Sequence, residues 1–130
     1  MLYYLDTAPI IYLVEKVSPF FERASERLRK QDVLLATSLL SRLETRVKPL
    51  RDKNHLQLQE FADFFDTRIA LEIGLSREVI DTATELRAKY GFKTPDAIHL
   101  AAAIIGNCEV FLTNDHRLDN CEEIKVEVLQ

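Results

Sequence analysis

Cysteine is scarce in this chain, while long apolar runs and any surplus of positive charge are missing altogether. Two cysteines, Cys108 and Cys121, are too few for a disulfide framework. As zinc ligands they would need two further soft partners at close spacing, and none is present, so both read as reduced structural thiols. The longest uncharged stretch, Ala97 to Cys108, is too short to span a bilayer and contains His99. Met1 is followed by tyrosines and leucines with no basic lead-in, and Asp6 breaks the run, which makes a poor secretory signal. A cytoplasmic location is therefore expected, with no membrane association. The 17 Lys and Arg against 21 Asp and Glu leave a net charge of −4, which on totals alone argues against a nucleic-acid binder. Totals are blind to segregation, however: acids gathered in one pocket lower the sum and say nothing of its rim. Internal repeats, low-complexity segments and linkers are also absent.

What remains is a chain of 130 residues, 47% hydrophobic and 29% charged, which reads as one domain over residues 1–130 with a core that needs no staples. Apolar runs at Leu2–Leu5, Val33–Ala36 and Val110–Leu112 have the look of strands buried on both faces. Alternation at Ile69, Leu71, Ile73 and at Ile124, Val126, Val128 adds two more, the last expected at a sheet edge. Between them lie helical stretches. Pro9 and Pro19 open the first two, and Thr37-Ser38 is expected to cap a third whose apolar stripe is Leu39, Leu40, Leu43, Val47 and Leu50. A fourth carries Leu58, Phe61, Ala62 and Phe65. A fifth turns Val79, Ile80, Ala83, Leu86 and Tyr90 inward and stops at Gly91. The stretch from Thr94-Pro95 to Ile105 is apolar nearly all round, as a helix buried on most sides must be. Strands alternating with helices predict an α/β sandwich around a mostly parallel sheet, with ligands outside the carboxyl ends of the strands where the winding reverses.

Two strands end abruptly in an acid. Asp6 follows Leu2–Leu5, and Asp115 follows Val110–Leu112 through Thr113-Asn114. Two further acids stand where a plain fold would not put them. Glu44 lies about 40° from Leu40 and about 60° from Val47 on a helical wheel, at the margin of the expected stripe. Asp96 is in the first turn of the most apolar helix, where the helix dipole also favours an acid. Taken singly, each of the four has an ordinary explanation as a cap, turn or rim residue. Together at one mouth they would repel by ~4 kcal/mol per close pair at an effective dielectric near 20, and such a cluster persists by holding protons or binding cations. Oxygen-only donors suit Mg²⁺ or Mn²⁺, and Mg²⁺ keeps waters able to attack a phosphodiester.

Asp6-Thr7 after the first strand, Glu44 within Ser38–Glu44, the stretch Thr94-Pro95-Asp96-Ala97-Ile98-His99-Leu100-Ala101-Ala102-Ala103, and Thr113-Asn114-Asp115 occur in the order and spacing of one family. The chain resembles the PIN-domain nucleases over its whole length, and in particular the compact VapC-type toxins of toxin–antitoxin pairs. The resemblance implies a three-layer α/β/α fold with a five-stranded sheet ordered 3-2-1-4-5. It also implies Mg²⁺- or Mn²⁺-dependent endoribonuclease activity, with Asp6, Glu44, Asp96 and Asp115 as the acids that hold the metal. Thr7 and Thr113 would orient those acids through their hydroxyls, and Asp119 is a fifth candidate carboxylate. The implied partners are an RNA substrate, a small antitoxin and a second copy of the chain. Ala8-Pro9 departs from the family, which often carries Ser or Asn after the first Asp-Thr.

An aspartyl phosphotransferase would want a second acid two residues after Asp6, where this chain has Ala8. A receiver-like domain would want an acid at the end of the strand that here ends in Ala36-Thr37. The alternative of another class is a catalytically silent PIN-like scaffold that binds RNA or protein. Arg42, Arg46, Lys48, Arg51 and Lys53 begin on the helix of Glu44 and read equally as phosphate contacts at the rim or as a solvated face, with Arg42 or Arg46 also able to anchor an acidic antitoxin peptide. An aromatic-rich basic stripe for stacking bases is missing. His99 reads as a histidine of the core or a support for an acid, His116 as a turn residue and His55 as surface.

Overall fold

A computed structural model describes all residues 1–130. The elements follow in the order β1 (Leu2–Leu5), α1 (Thr7–Glu15), α2 (Phe20–Leu28), β2 (Leu34–Ser38), α3 (Leu39–Arg51), α4 (His55–Thr67), β3 (Ile69–Ile73), α5 (Arg77–Tyr90), α6 (Thr94–Ile105), β4 (Val110–Thr113) and β5 (Lys125–Val128). The sheet is parallel throughout and ordered β3-β2-β1-β4-β5, as expected. Successive strand residues alternate between two cores. Tyr4, Ala36 and Phe111 pack with α5 and α6, while Tyr3, Leu5, Leu35, Val110 and Leu112 pack with α1, α2 and α4. Tyr4 and Phe111 stack with ring centroids 5.2 Å apart. No helix is long and apolar enough to cross a membrane.

Four local expectations are corrected. The third strand is shifted along the β2 pairing by a register irregularity between Leu35 and Ala36, so that Leu35 faces Ile69 but Ala36 faces Leu71. An odd offset moves a strand's side chains to the other face; Ile69 packs on one core, Ile73 on the other, and Leu71 is exposed. Thr37 and Ser38 belong to the end of β2, and the Ser38 hydroxyl accepts from Tyr4 at 2.9 Å instead of capping α3.

The largest correction concerns α3. The residues expected to form its buried stripe are on the outside: Leu39, Leu43, Val47 and Leu50 are all exposed, Leu50 by 66%. The buried side is Ser41, Thr45 and Pro49. Their polarity is satisfied locally, Ser41 Oγ lying 2.6 Å from Thr37 Oγ1 and Thr45 Oγ1 donating to the Ser41 carbonyl at 2.7 Å. Small hydroxylated residues let α3 lie close over the strand ends, and that rotation turns Glu44 inward. On α5, Ile80 is likewise exposed.

The two halves of this packing predict opposite outcomes in urea denaturation. Phe111→Ala empties a fully buried position and should cost about 3–5 kcal/mol. Leu43→Gln, on the exposed face of α3, should stay within about 0.5 kcal/mol of the parent; a loss comparable to that of Phe111→Ala would mean that Leu43 is core.

Candidate active site

Chain direction and pairing bring the acids together. Strand β1 pairs with β2 on one side and β4 on the other, so the winding reverses there and a cleft opens at the carboxyl ends. An open pocket of about 620 Å³ occupies it, and Asp6, Glu44, Asp96 and Asp115 all line it, with Thr7, Tyr12, His99, Thr113 and Asn114 among its other residues.

Asp6 is the most constrained. Its backbone N–H donates to the Leu112 carbonyl at 3.0 Å, continuing the β1–β4 pairing. Its carboxylate caps α1, accepting from the Thr7 N–H at 2.9 Å, and the other oxygen accepts the Thr113 hydroxyl at 2.8 Å. Thr113 therefore orients Asp6 with its hydroxyl and holds Asp115 only by accepting that residue's backbone N–H at 3.1 Å. Thr7 orients Glu44, donating to Oε1 at 2.6 Å.

His99 sits beneath these groups, 1% exposed. Its Nε2 lies 2.6 Å from Glu44 Oε1 and 3.8 Å from Asp6 Oδ1, and its Nδ1 lies 2.7 Å from the Tyr4 hydroxyl. Ser38, Tyr4 and His99 Nδ1 form one hydrogen-bonded chain, and Nε2 donates to the Glu44 carboxylate, which as an anion can only accept. Burial pushes the His99 pKa down, but the Glu44 hydrogen bond and the charges of Asp6, Glu44 and Asp96 outweigh it and leave it raised. Burial pushes the Glu44 carboxyl up, and the hydrogen bonds from His99 and Thr7 with the His99 charge more than reverse this. The sequence placed His99 on a buried helix but not against Glu44. The usable signal was its position three residues after Asp96, on the same helix face.

Asp96 and Asp115 differ in their partners. Asp96 makes no hydrogen bond or ion pair, and burial, then the charges of Asp6 and Asp115, raise its pKa. Asp115 is held below the usual carboxylate range by Arg117, which pairs with both its oxygens through Nε and Nη2, the latter at 2.6 Å. Arg117 was not anticipated from the sequence, since an exposed arginine in a turn carries no pattern. Asp119 is exposed and does not line the pocket.

The α3 cations also lie elsewhere. Arg42 pairs with Glu72 and Asp66 and covers the Phe65 ring, and with Arg46 it lines a separate apolar groove beside Leu43, Val47 and Leu50. Lys48 pairs with Asp52 at 2.7 Å, and Arg51 is exposed at the helix end. None of the four lines the acidic pocket. The outward rotation of α3 that admits Glu44 carries them away from it.

No three His, Cys, Asp or Glu side chains form a ready-made metal array; Glu44 is engaged by His99 and Asp115 by Arg117. The pocket nevertheless holds one unpartnered carboxylate, Asp96, and one buried oxygen with no donor, Asn114 Oδ1, whose amide nitrogen is turned to Tyr12 at 2.8 Å. With Asp6 and Asp115 these make a hard oxygen donor set of the kind Mg²⁺ or Mn²⁺ takes.

The PIN domain family profile matches residues 3–124. The chain belongs to the PIN-domain family. No curated protein matches it by sequence, whereas solved structures do by fold. VapBC2 from Rickettsia felis, bound to a DNA fragment from its promoter, is 22% identical with a TM-score of 0.78, covering 98% of each chain. A toxin–antitoxin complex from Klebsiella pneumoniae is 23% identical, TM-score 0.75, again over 98% of both chains. VapC20 from Mycobacterium tuberculosis, described as a sarcin–ricin loop cleaving toxin, is 16% identical, TM-score 0.67, over 84% of this PIN domain and 86% of that chain.

The His99–Glu44 pair makes a signed prediction for this PIN domain in chelator. His99 has a raised pKa, so its contribution to stability is complete below its ordinary 6.5 and fades as pH rises through the folded value. Glu44 has a lowered pKa, so its contribution is complete above 4.5 and fades as pH falls through the folded value. Imidazole NMR should place the His99 midpoint above 6.5 and Glu44→Gln should move it down; a midpoint unmoved by the substitution would remove Glu44 as its counter-ion.

Proposed function

We infer that this PIN domain is a Mg²⁺- or Mn²⁺-dependent endoribonuclease, the toxin of a toxin–antitoxin pair, cleaving RNA phosphodiesters at the acidic pocket. The observation that carries this is the gathering of Asp6, Glu44, Asp96 and Asp115 on one open pocket at the switch point of the sheet, with Asp96 and Asn114 Oδ1 unpartnered. The sarcin–ricin loop cleavage named for the tuberculosis relative, and the toxin–antitoxin complex among the neighbours, support the substrate class and the partner. Asp6, Asp96 and Asp115 would hold the divalent ion, with Glu44 at a second position. When bound, the ion would supply charge neutralisation and Lewis acidity at the phosphate.

The chain's own groups do the rest. Thr113 and the start of α1 fix Asp6 in one orientation, so its lone pairs point the same way in every turnover. Thr7 and His99 hold Glu44 at the back of the pocket as a carboxylate instead of a carboxylic acid. The raised pKa of His99 favours its charged form, which would offset part of the negative charge that an anionic backbone meets. Asp96, with its raised pKa, is the acid whose proton is most readily lost or gained as a cation arrives or leaves. A small antitoxin and a second copy of the chain are the proposed partners, and the exposed leucines of α3 are apolar surface that such a partner would cover.

One specific observation favours the silent-scaffold alternative: Arg117 occupies both oxygens of Asp115. An RNA panel incubated with Mg²⁺ or Mn²⁺ separates the two. Asp6→Asn and Asp96→Asn should abolish cleavage, and Thr113→Val should reduce it about 10–100-fold by releasing Asp6. Equal cleavage by parent and Asp6→Asn would assign the activity to a contaminant, and RNA binding without cleavage would establish the scaffold. Light scattering at micromolar concentration should give a dimer; a monomer would remove the second copy from the partners.

A further inference from the structure

A second, smaller cavity adjoins the acidic pocket, and its chemistry is opposite in sign. It measures about 260 Å³, lies between the start of α6 and the turn after β4, and includes Lys93, Asp96, Arg117 and Asn120 in its lining. Asp96 lines both cavities, so a chain passing over it enters one from the other. Lys93 makes no ion pair and is exposed, in contrast to Arg42 and Lys48. Arg117 spends Nε and Nη2 on Asp115, while its Nη1 makes no bond and its side chain is 64% exposed. Lys93 also occupies the N-cap of the twelve-residue helix α6 without capping it by its side chain, so the first-turn N–H groups add partial positive charge at the same edge.

From this juxtaposition we propose that Lys93 and Arg117 grip the backbone phosphate neighbouring the one to be cut, and that the single-stranded RNA leaves the acidic pocket over Asp96 into this cavity. The proposal rests on the acidic pocket being the RNA site. It places the phosphate contacts on the α6 start and the turn after β4, not on α3. Arg117 then has two roles: it braces Asp115 through one edge of its guanidinium and offers the remaining donors to a phosphate, a division that the planar fork permits and a lysine does not. Asn120, exposed in the same lining, would offer an uncharged donor and acceptor to a following ribose or base.

The test is anisotropy of a labelled mixed-sequence RNA strand, titrated with the full-length protein in chelator over a range of salt, alongside cleavage in Mn²⁺. Each phosphate contact removed should lower the slope of log affinity on log salt by about 0.7 for a single strand. Lys93→Ala, which leaves the Arg117–Asp115 pair intact, should lower that slope by about 0.7 and weaken binding several-fold. The Lys93→Ala, Arg117→Ala double variant should lower it by about 1.4 and raise the KM for cleavage. Lys30→Ala, an exposed cation at the opposite end of the sheet, should change neither, and all variants should melt as the parent does. Parental slope and affinity in the double variant, with a parent that binds and cleaves, would overturn this proposal alone. A parent that binds no RNA at any salt would overturn both it and the ribonuclease assignment.

Discussion

His99 is hydrogen-bonded at both ring nitrogens while almost wholly excluded from water, with Tyr4 on one side and Glu44 on the other. A buried titratable pair is costly unless its groups match, and removing one partner leaves the other uncompensated. Here the dependence runs in both directions. The hydrogen bonds of His99 and Thr7 lower the Glu44 pKa, and Glu44, Asp6 and Asp96 raise that of His99. The acids of the pocket are thus anchored from below by a histidine of the core, which reaches the sheet through Tyr4 and its stack on Phe111. What is left without a partner is the carboxylate of Asp96 and the buried side-chain oxygen of Asn114.

The position of that system follows from topology. Parallel strands align their carboxyl ends, and the reversal of winding at β1 leaves a gap between the helices that cover β2 and β4. Asp6 is fixed to β4 by its backbone N–H and to Thr113 by its side chain, so the β1–β4 pairing is also the dimension of the site. Any change in register between those strands would shift Asp6 relative to Asp115 and break the Thr113 bond with it. Register in this sheet is strongly specified because both faces are buried, which makes the core's alternation of residues such as Tyr3, Tyr4 and Leu5 a determinant of site geometry.

Much of this was legible without coordinates. Apolar runs broken by Asp6 and Asp115 located strand ends, and strand–helix alternation gave the parallel sheet. The misreading of α3 has a simple cause: a helical wheel identifies an apolar face but does not say which way it points. Leu39, Leu43, Val47 and Leu50 form a convincing inward stripe, whereas Ser41 and Thr45 look like surface until their partners Thr37 and the Ser41 carbonyl are known. The error propagated, since the cations of α3 were assigned to the rim of the pocket on the assumption that the helix presented them there. The break in β3 was equally invisible, because alternation at Ile69, Leu71 and Ile73 presupposes an unbulged pairing with β2.

Charge distribution is where sequence totals mislead most. A net −4 describes a surface on which many cations are already spent: Arg42 on Glu72 and Asp66, Lys48 on Asp52, Lys89 on Glu123. Solvent-exposed pairs of this kind contribute little to stability, but they remove their cations from any attraction of a polyanion. What matters for a phosphate backbone is the few positive groups left uncommitted beside the acids. A cluster of carboxylates with no such neighbours would repel nucleic acid from the very site proposed to cut it. Lys93 and the free edge of Arg117 stand where the acidic pocket meets a second cavity, as positive groups beside the acids. An anion drawn to that edge is held against Asp96, the acid with the least internal compensation and hence the one whose charge a bound cation would most readily balance.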